Sequence, residues 1–136
     1  MKFDRNILAE NLKTIPEIAF AYLFGSAQNG TIKEGSDLDI AVYLVRKEKN
    51  NDEETELRLK ILRLLESAVP DFENFDLVVL NEVNTILGMQ ILQGTLLFVK
   101  PEHENLYADF YSYTCRKYEY DAFWVKKQLE YRGYEN

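Results

Sequence analysis

Ile18-Ala19-Phe20-Ala21-Tyr22-Leu23-Phe24-Gly25-Ser26, followed after ten residues by Asp37-Leu38-Asp39-Ile40-Ala41-Val42-Tyr43-Leu44, is the stretch whose reading decides the fold. The run from Ile18 to Phe24 is apolar, short and bounded by Pro16 and Gly25, the pattern of a strand buried on both faces. From Gly25 to Gly35 apolar character nearly vanishes, and three glycines with Asn29, Thr31 and Lys33 mark a loop with room for one helical turn. The second run is a strand by composition whose opening half carries acids. Residues i and i+2 of a strand share a face, so Asp37 and Asp39 aim two carboxylates at one point while Leu38 and Ile40 turn to the core.

Upstream, Phe3, Ile7, Leu8, Leu12 and Ile15 recur at spacings of three and four behind a capping Asp4, which predicts a short amphipathic helix in the first fifteen residues, ended by Pro16. Downstream, the mixed-charge stretch Arg46 to Glu56 runs into a helix carrying Leu57, Ile61, Leu64, Leu65 and Ala68 on one face. Phe75 to Leu80 reads as a third strand, Thr85 to Gln93 as a short helix stopped by Gly94, and Thr95 to Val99 as a fourth strand. The last thirty-five residues hold Leu106, Phe110, Tyr113, Tyr120 and Trp124 at near-helical spacing, predicting one long helix or two in succession. The fold class is therefore α/β (α+β): a mixed four-stranded or larger sheet flanked by helices, with a C-terminal helical segment.

Composition bounds the function. The 136 residues, 46% hydrophobic and 29% charged, suit a single soluble domain with a real core. A formal net charge of -7 repels the backbone of long nucleic acids, which sets aside unspecific DNA or RNA binding. Cys115 has no second cysteine to pair with, pointing to a reducing, cytoplasmic setting. No apolar run is long enough to span a membrane, and acids interrupt the N-terminal pattern where a signal peptide would be apolar, so neither export nor membrane insertion is expected. His103 is expected in a solvated turn, and Cys115 as a small buried apolar group.

Two carboxylates a few ångströms apart repel unless a cation lies between them, and a hard divalent metal, Mg²⁺ before any other, is the natural occupant. The Gly25-Ser26 turn after a strand offers backbone N–H groups and a hydroxyl to phosphates. Asp76 opens the third strand and joins the pair if that strand lies beside the one bearing Asp37 and Asp39. Three carboxylates suffice for two metals and in-line displacement at phosphorus. Asp-x-Asp alone at a strand mouth is commonly a solvated turn; the joint pattern of buried strand, Gly-Ser, Asp-x-Asp on a second strand and Asp on a third carries the reading.

Gly25-Ser26, ten residues and Asp37-x-Asp39 together resemble the signature of the polymerase-beta-type nucleotidyltransferase superfamily, and the small size resembles its minimal nucleotidyltransferases (MNT). The likeness runs from about Ile18 to Val99 and includes the fourth-strand segment Ile91 to Phe98, which resembles a late Gly-x-x-Leu stretch of MNT domains. It implies a single nucleotidyltransferase domain over residues 1–136, with a core at about 16–100 and a helical extension at about 102–134. It further implies that Gly25, Ser26 and Ser36 contact the nucleotide, that Asp37 and Asp39 ligate two Mg²⁺ ions, and that Asp76 ligates the catalytic metal and helps deprotonate the acceptor. Where members of the family often carry Arg before the second loop glycine, this chain has Asn29, which forgoes a charge-assisted phosphate contact. Stand-alone MNT proteins resemble antitoxins paired with a HEPN-type ribonuclease toxin, some transferring AMP from ATP to a toxin tyrosine.

Three readings follow: an adenylyltransferase acting on a protein partner, a nucleotidyltransferase acting on a small molecule of the antibiotic type, and an antitoxin acting by binding alone. The lack of an appended acceptor-binding domain weighs against the second. Seven of the nine tyrosines lie between Tyr107 and Tyr134, which makes a protein-binding face there a natural expectation, whether with a partner or another copy. Within it, Phe110, Tyr113, Tyr120 and Trp124 are expected to pack the last helix on the sheet, and Tyr107, Tyr111, Tyr118 and Tyr131 to form the exposed patch.

Overall fold

The computed structural model describes residues 3–25, 37–46, 50–70, 72 and 74–133. Helix α1 (Arg5–Lys13) leads into strands β1 (Ile18–Phe24) and β2 (Leu38–Leu44); then follow α2 (Asn51–Ala68), β3 (Phe75–Val79), α3 (Thr85–Leu92), β4 (Thr95–Val99) and α4 (Glu104–Tyr131). The strands form one sheet in the order β3-β2-β1-β4. β1 pairs antiparallel with β2 and with β4, while β2 and β3 pair in parallel, the crossover being α2. The mixed sheet is thus as the sequence predicts, and β1 and β4 begin and end where their flanking Pro and Gly residues place them. The last segment is one continuous helix of 28 residues rather than two.

Local chemistry explains the helix starts. Asp4 accepts the Asn6 N–H at 2.8 Å, Asn50 that of Glu53 at 2.9 Å and Asn84 that of Leu87 at 2.8 Å, each satisfying a donor that the first helical turn leaves without a carbonyl.

The sheet divides the interior in two. On one face Leu8, Leu12, Ile61 and Leu65 of α1 and α2 pack on Ala21, Leu23, Leu38, Ile40 and Val42. On the other, Ile91 of α3 and Leu106, Tyr107 and Phe110 of α4 pack on Phe20, Tyr22, Ala41 and Tyr43. Ala19 and Phe20 both belong to this second cluster because the β1 register shifts between Ile18 and Phe20, a bulge that lets two successive residues share a face. Ile7, expected on the buried side of α1, is 49% exposed: Leu8, Leu12 and Ile15 fill that side, and Ile7 lies a quarter turn away from it.

The aromatic residues of α4 divide differently from expectation. Phe110 does pack, 5.7 Å from the Phe20 ring and 5.5 Å from Tyr43. Tyr107, expected at the surface, lies against Phe20 and shares a 2.8 Å hydroxyl–hydroxyl hydrogen bond with Tyr22. Tyr113, Tyr120 and Trp124, expected in the core, are 59%, 58% and 48% exposed. Thr114 is the one buried residue of α4, set against Gly88 of α3. Tyr111, Tyr118 and Tyr131 are exposed as expected, whereas His103 and Cys115 are half-buried. Among the described residues no helix is long and apolar enough to cross a membrane.

Candidate active site

The exit of β1 and the entries of β2, β3 and β4 lie at one end of the sheet, because β1 runs against β2 and β4 while β2 and β3 run together. Phe24 stands opposite Asp39, and Asp39 opposite Asp76. Adjacent strands are about 4.8 Å apart, so Asp39 and Asp76 project side by side. Alternation puts Asp37, Asp39 and Ala41 on one side of β2, and Asp76 on the matching side of β3 with Val78; since Ala41 and Val78 belong to the α3/α4 cluster, the three acids share that face. The adjacency of β3 and β2, which the sequence leaves as a condition, is met.

Asp37 and Asp76 are exposed and Asp39 is half-buried. Burial first, then the charges of Asp76 and Asp37, hold the Asp39 carboxyl above the ordinary aspartate range. The three acids therefore interact, yet among the described residues no three Asp, Glu, His or Cys side chains stand close enough to form a complete metal cage. Mutual repulsion asks for positive charge, and Mg²⁺ commonly takes one or two carboxylates and completes its oxygen shell with water and substrate phosphates.

Gly25 follows directly. Its φ of 72° is in the left-handed region, and a Cβ there would fall onto the Asp39 carboxylate. The glycine thus lets the chain leave β1 hard against the acid. Ser26, Ser36 and Asn29 lie outside the described residues. Gly94, which the sequence reading takes as a helix stop and as part of a late Gly-x-x-Leu stretch, makes a second close approach: a Cβ there would lie 2.6 Å from the Leu23 carbonyl oxygen and 3.1 Å from Phe24 Cβ. The end of α3 is thereby pressed on the exit of β1, one residue before Gly25. A glycine between a helix and a strand was the available signal.

The family described as polymerase beta nucleotidyltransferase matches residues 6–103. The chain is 37% identical over 95 residues to the protein adenylyltransferase MntA of Shewanella oneidensis, a match covering 69% of this chain and 63% of that protein, so it spans somewhat under two thirds of that relative's length. It is similar to a solved chain of a toxin–antitoxin with AMP-PNP, with 28% identity, a TM-score of 0.66 and 94% of each chain covered. A chain of the toxin–antitoxin MntA-HepT is similar at 26% identity and a TM-score of 0.57, with 93% of this chain and 90% of that one covered. With the sheet order, the paired acids at its edge and a match over most of its length, the chain belongs to the polymerase beta nucleotidyltransferase family.

Proposed function

We propose that this chain is a Mg²⁺-dependent adenylyltransferase and the antitoxin of a toxin–antitoxin pair, moving AMP from ATP to a tyrosine hydroxyl of a HEPN-type partner. The observation that carries the reading is the register of Asp39 between Phe24-Gly25 and Asp76, three strands converging on one carboxylate cluster. The likeness to an adenylyltransferase and to a toxin–antitoxin solved with an ATP analogue supports it. Residues 1–136 act as one domain, a core at about 16–100 with a helical extension at about 102–134, in the cytoplasm.

Asp37 and Asp39 would hold the metal, with Asp76 completing the set on the acceptor side. When bound, Mg²⁺ supplies charge neutralisation of the triphosphate and lowers the pKa of the attacking hydroxyl. Gly25, Ser26 and Ser36 orient the phosphates so that the acceptor oxygen and pyrophosphate lie in line across the α-phosphorus. The acceptor oxygen bonds to that phosphorus, its proton passes to Asp76, and the bond to the β-phosphate oxygen breaks as pyrophosphate leaves. The chain contributes placement and electrostatics.

The test is the intact mass of the protein encoded beside this chain, expected to be of the HEPN type, after incubation with the chain, ATP and Mg²⁺. Mass should rise in AMP-sized steps, and the Asp37→Asn/Asp39→Asn variant should abolish the rise. No rise within a stable complex would refute transfer and favour a second reading, neutralisation by binding alone, to which the exposed aromatic face of α4 and Asn29 in place of the usual Arg lend support.

A further inference from the structure

We infer that the distal half of α4 is the seat of the protein partner, clasped on two sides by helices of that partner; this rests on the toxin–antitoxin reading above. After Thr114 no residue of the helix is fully buried in the described chain, yet it continues for a further seventeen residues. Tyr113, Tyr120, Trp124 and Tyr131 are 59%, 58%, 48% and 93% exposed. Their separations of seven, four and seven residues, at 100° per residue, put all four within about 20° of one line roughly 27 Å long. An occupant of that stripe is an elongated element, and a helix laid alongside fits it.

A second apolar side lies roughly 140° around the helix. Tyr118, Val125 and Leu129 there face Ile86 of α3, itself 65% exposed, across a groove of about 540 Å³. A helix apolar on two opposing sides is one that is enclosed in its working state. Six aromatic side chains about half exposed leave on the order of 600 Å² uncovered, and Ile86, Val125 and Leu129 add to it. Taken together, the two sides come close to the roughly 800 Å² each partner contributes to a stable interface.

The border of the stripe is polar. Arg116, Lys117 and Lys127 border the aromatic line in a chain whose net charge is -7. Lys117 Nζ sits 5.3 Å from the Tyr120 ring centre and Lys127 Nζ 5.5 Å from that of Phe123. Both ammoniums are already paired along the helix, Lys117 Nζ with Asp121 at 2.8 Å and Lys127 Nζ with Glu130 at 3.7 Å, so the rim is of mixed charge. The family match also ends at residue 103, immediately before α4, while likeness to the toxin–antitoxin chain spans 94% of this one, too much to omit α4. The helix thus belongs to what is shared with proteins of paired systems and not to the part that defines the transferase family.

Affinity of the full chain for its HEPN-type neighbour, with and without Tyr120→Ala/Trp124→Ala, tests this. The variant should bind about thirtyfold more weakly or worse, with helix content and ATP binding unchanged, since both residues are exposed and alanine favours helix. Val125→Asp/Leu129→Asp, on the second apolar side and likewise at exposed positions, should weaken binding by a similar factor. Unchanged affinity in both variants overturns the inference, and AMP transfer by the wild type would then leave the function standing. A wild-type chain that is dimeric alone, and monomeric once Trp124 is replaced, overturns it in favour of self-association. Absence of any complex with the wild type overturns the toxin–antitoxin reading and this inference together.

Discussion

Replacing Gly25 by alanine separates two costs that the structure superimposes at one atom. The first is conformational: an L-residue held at φ 72° loses roughly 1–2 kcal/mol relative to glycine. The second is steric, because the added methyl overlaps the Asp39 carboxylate, with Asp39 Cγ only 3.0 Å from the Cβ position. Either the carboxyl rotates away or β1 and β2 part at their ends, an overpacking cost of about 1–3 kcal/mol. Together Gly25→Ala should lose about 2–5 kcal/mol of the roughly 5–15 kcal/mol that stabilises a domain of this kind. Asp39→Ala removes the overlapping oxygens and leaves Asp39 Cβ at 3.4 Å, an ordinary contact. The double variant Gly25→Ala/Asp39→Ala should therefore retain only the conformational cost, giving a coupling of at least about 1 kcal/mol in a double-mutant cycle. Gly25→Asn should keep the overlap while softening the backbone term. Urea unfolding followed by far-ultraviolet circular dichroism measures all five chains, wild type included, without any ligand. Gly25→Ala within about 0.5 kcal/mol of wild type, or strictly additive energies in the cycle, would refute the close approach.

Two further outcomes are expected. The Asp39 carboxyl, raised by burial and by Asp76 and Asp37, holds its proton more tightly in the folded chain than in the unfolded one, so this group's contribution is present at low pH and is lost as pH rises from the ordinary aspartate value through the raised one. Stability of wild type relative to Asp39→Asn should fall across that interval by no more than about 1 kcal/mol, since solvent screens the cluster, and a flat or rising difference in urea titrations between pH 3.5 and 7 would remove the like-charge account. Gly94→Ala places a methyl 2.6 Å from the Leu23 carbonyl oxygen, a backbone atom that cannot swing aside, and should cost about 2 kcal/mol or more by thermal unfolding; tolerance within about 0.5 kcal/mol would show that α3 is not pressed on β1.

Most of the sheet was legible because its signals are local. Pro16 and Gly25 bound β1, Gly94 and Pro101 bracket β4, and the period of two at Asp37-Leu38-Asp39-Ile40 separates acids from core by itself. The meeting of Asp39 with Asp76 was not legible from pattern: it depends on which strand α2 delivers beside β2, a choice made by packing across residues far apart in sequence. The aromatic residues of α4 show the same boundary. Helical spacing says that Tyr113, Tyr120 and Trp124 share a side, but not whether anything covers that side. The sheet is only five to seven residues deep, so α4 outruns it after Thr114, and the residue nearest the sheet, Tyr107, is recruited inward to pair its hydroxyl with that of Tyr22, which is 2% exposed.

The two-faced interior also bears on how such a protein can change over time. Stabilising substitutions commonly cost activity where the residues that hold the fold also shape the chemistry. Here α1, α2 and the residues they cover sit behind the sheet, while the acids and both aromatic sides of α4 lie before it or beyond it. The rear layer is therefore a reserve in which variants of Leu8, Leu12, Ile61 or Leu65 can gain or lose stability with little effect on transfer or recognition. Volume-conserving changes should be better tolerated there than any change at Gly25, Asp39 or Gly94, and the front helix is left free to track a changing partner.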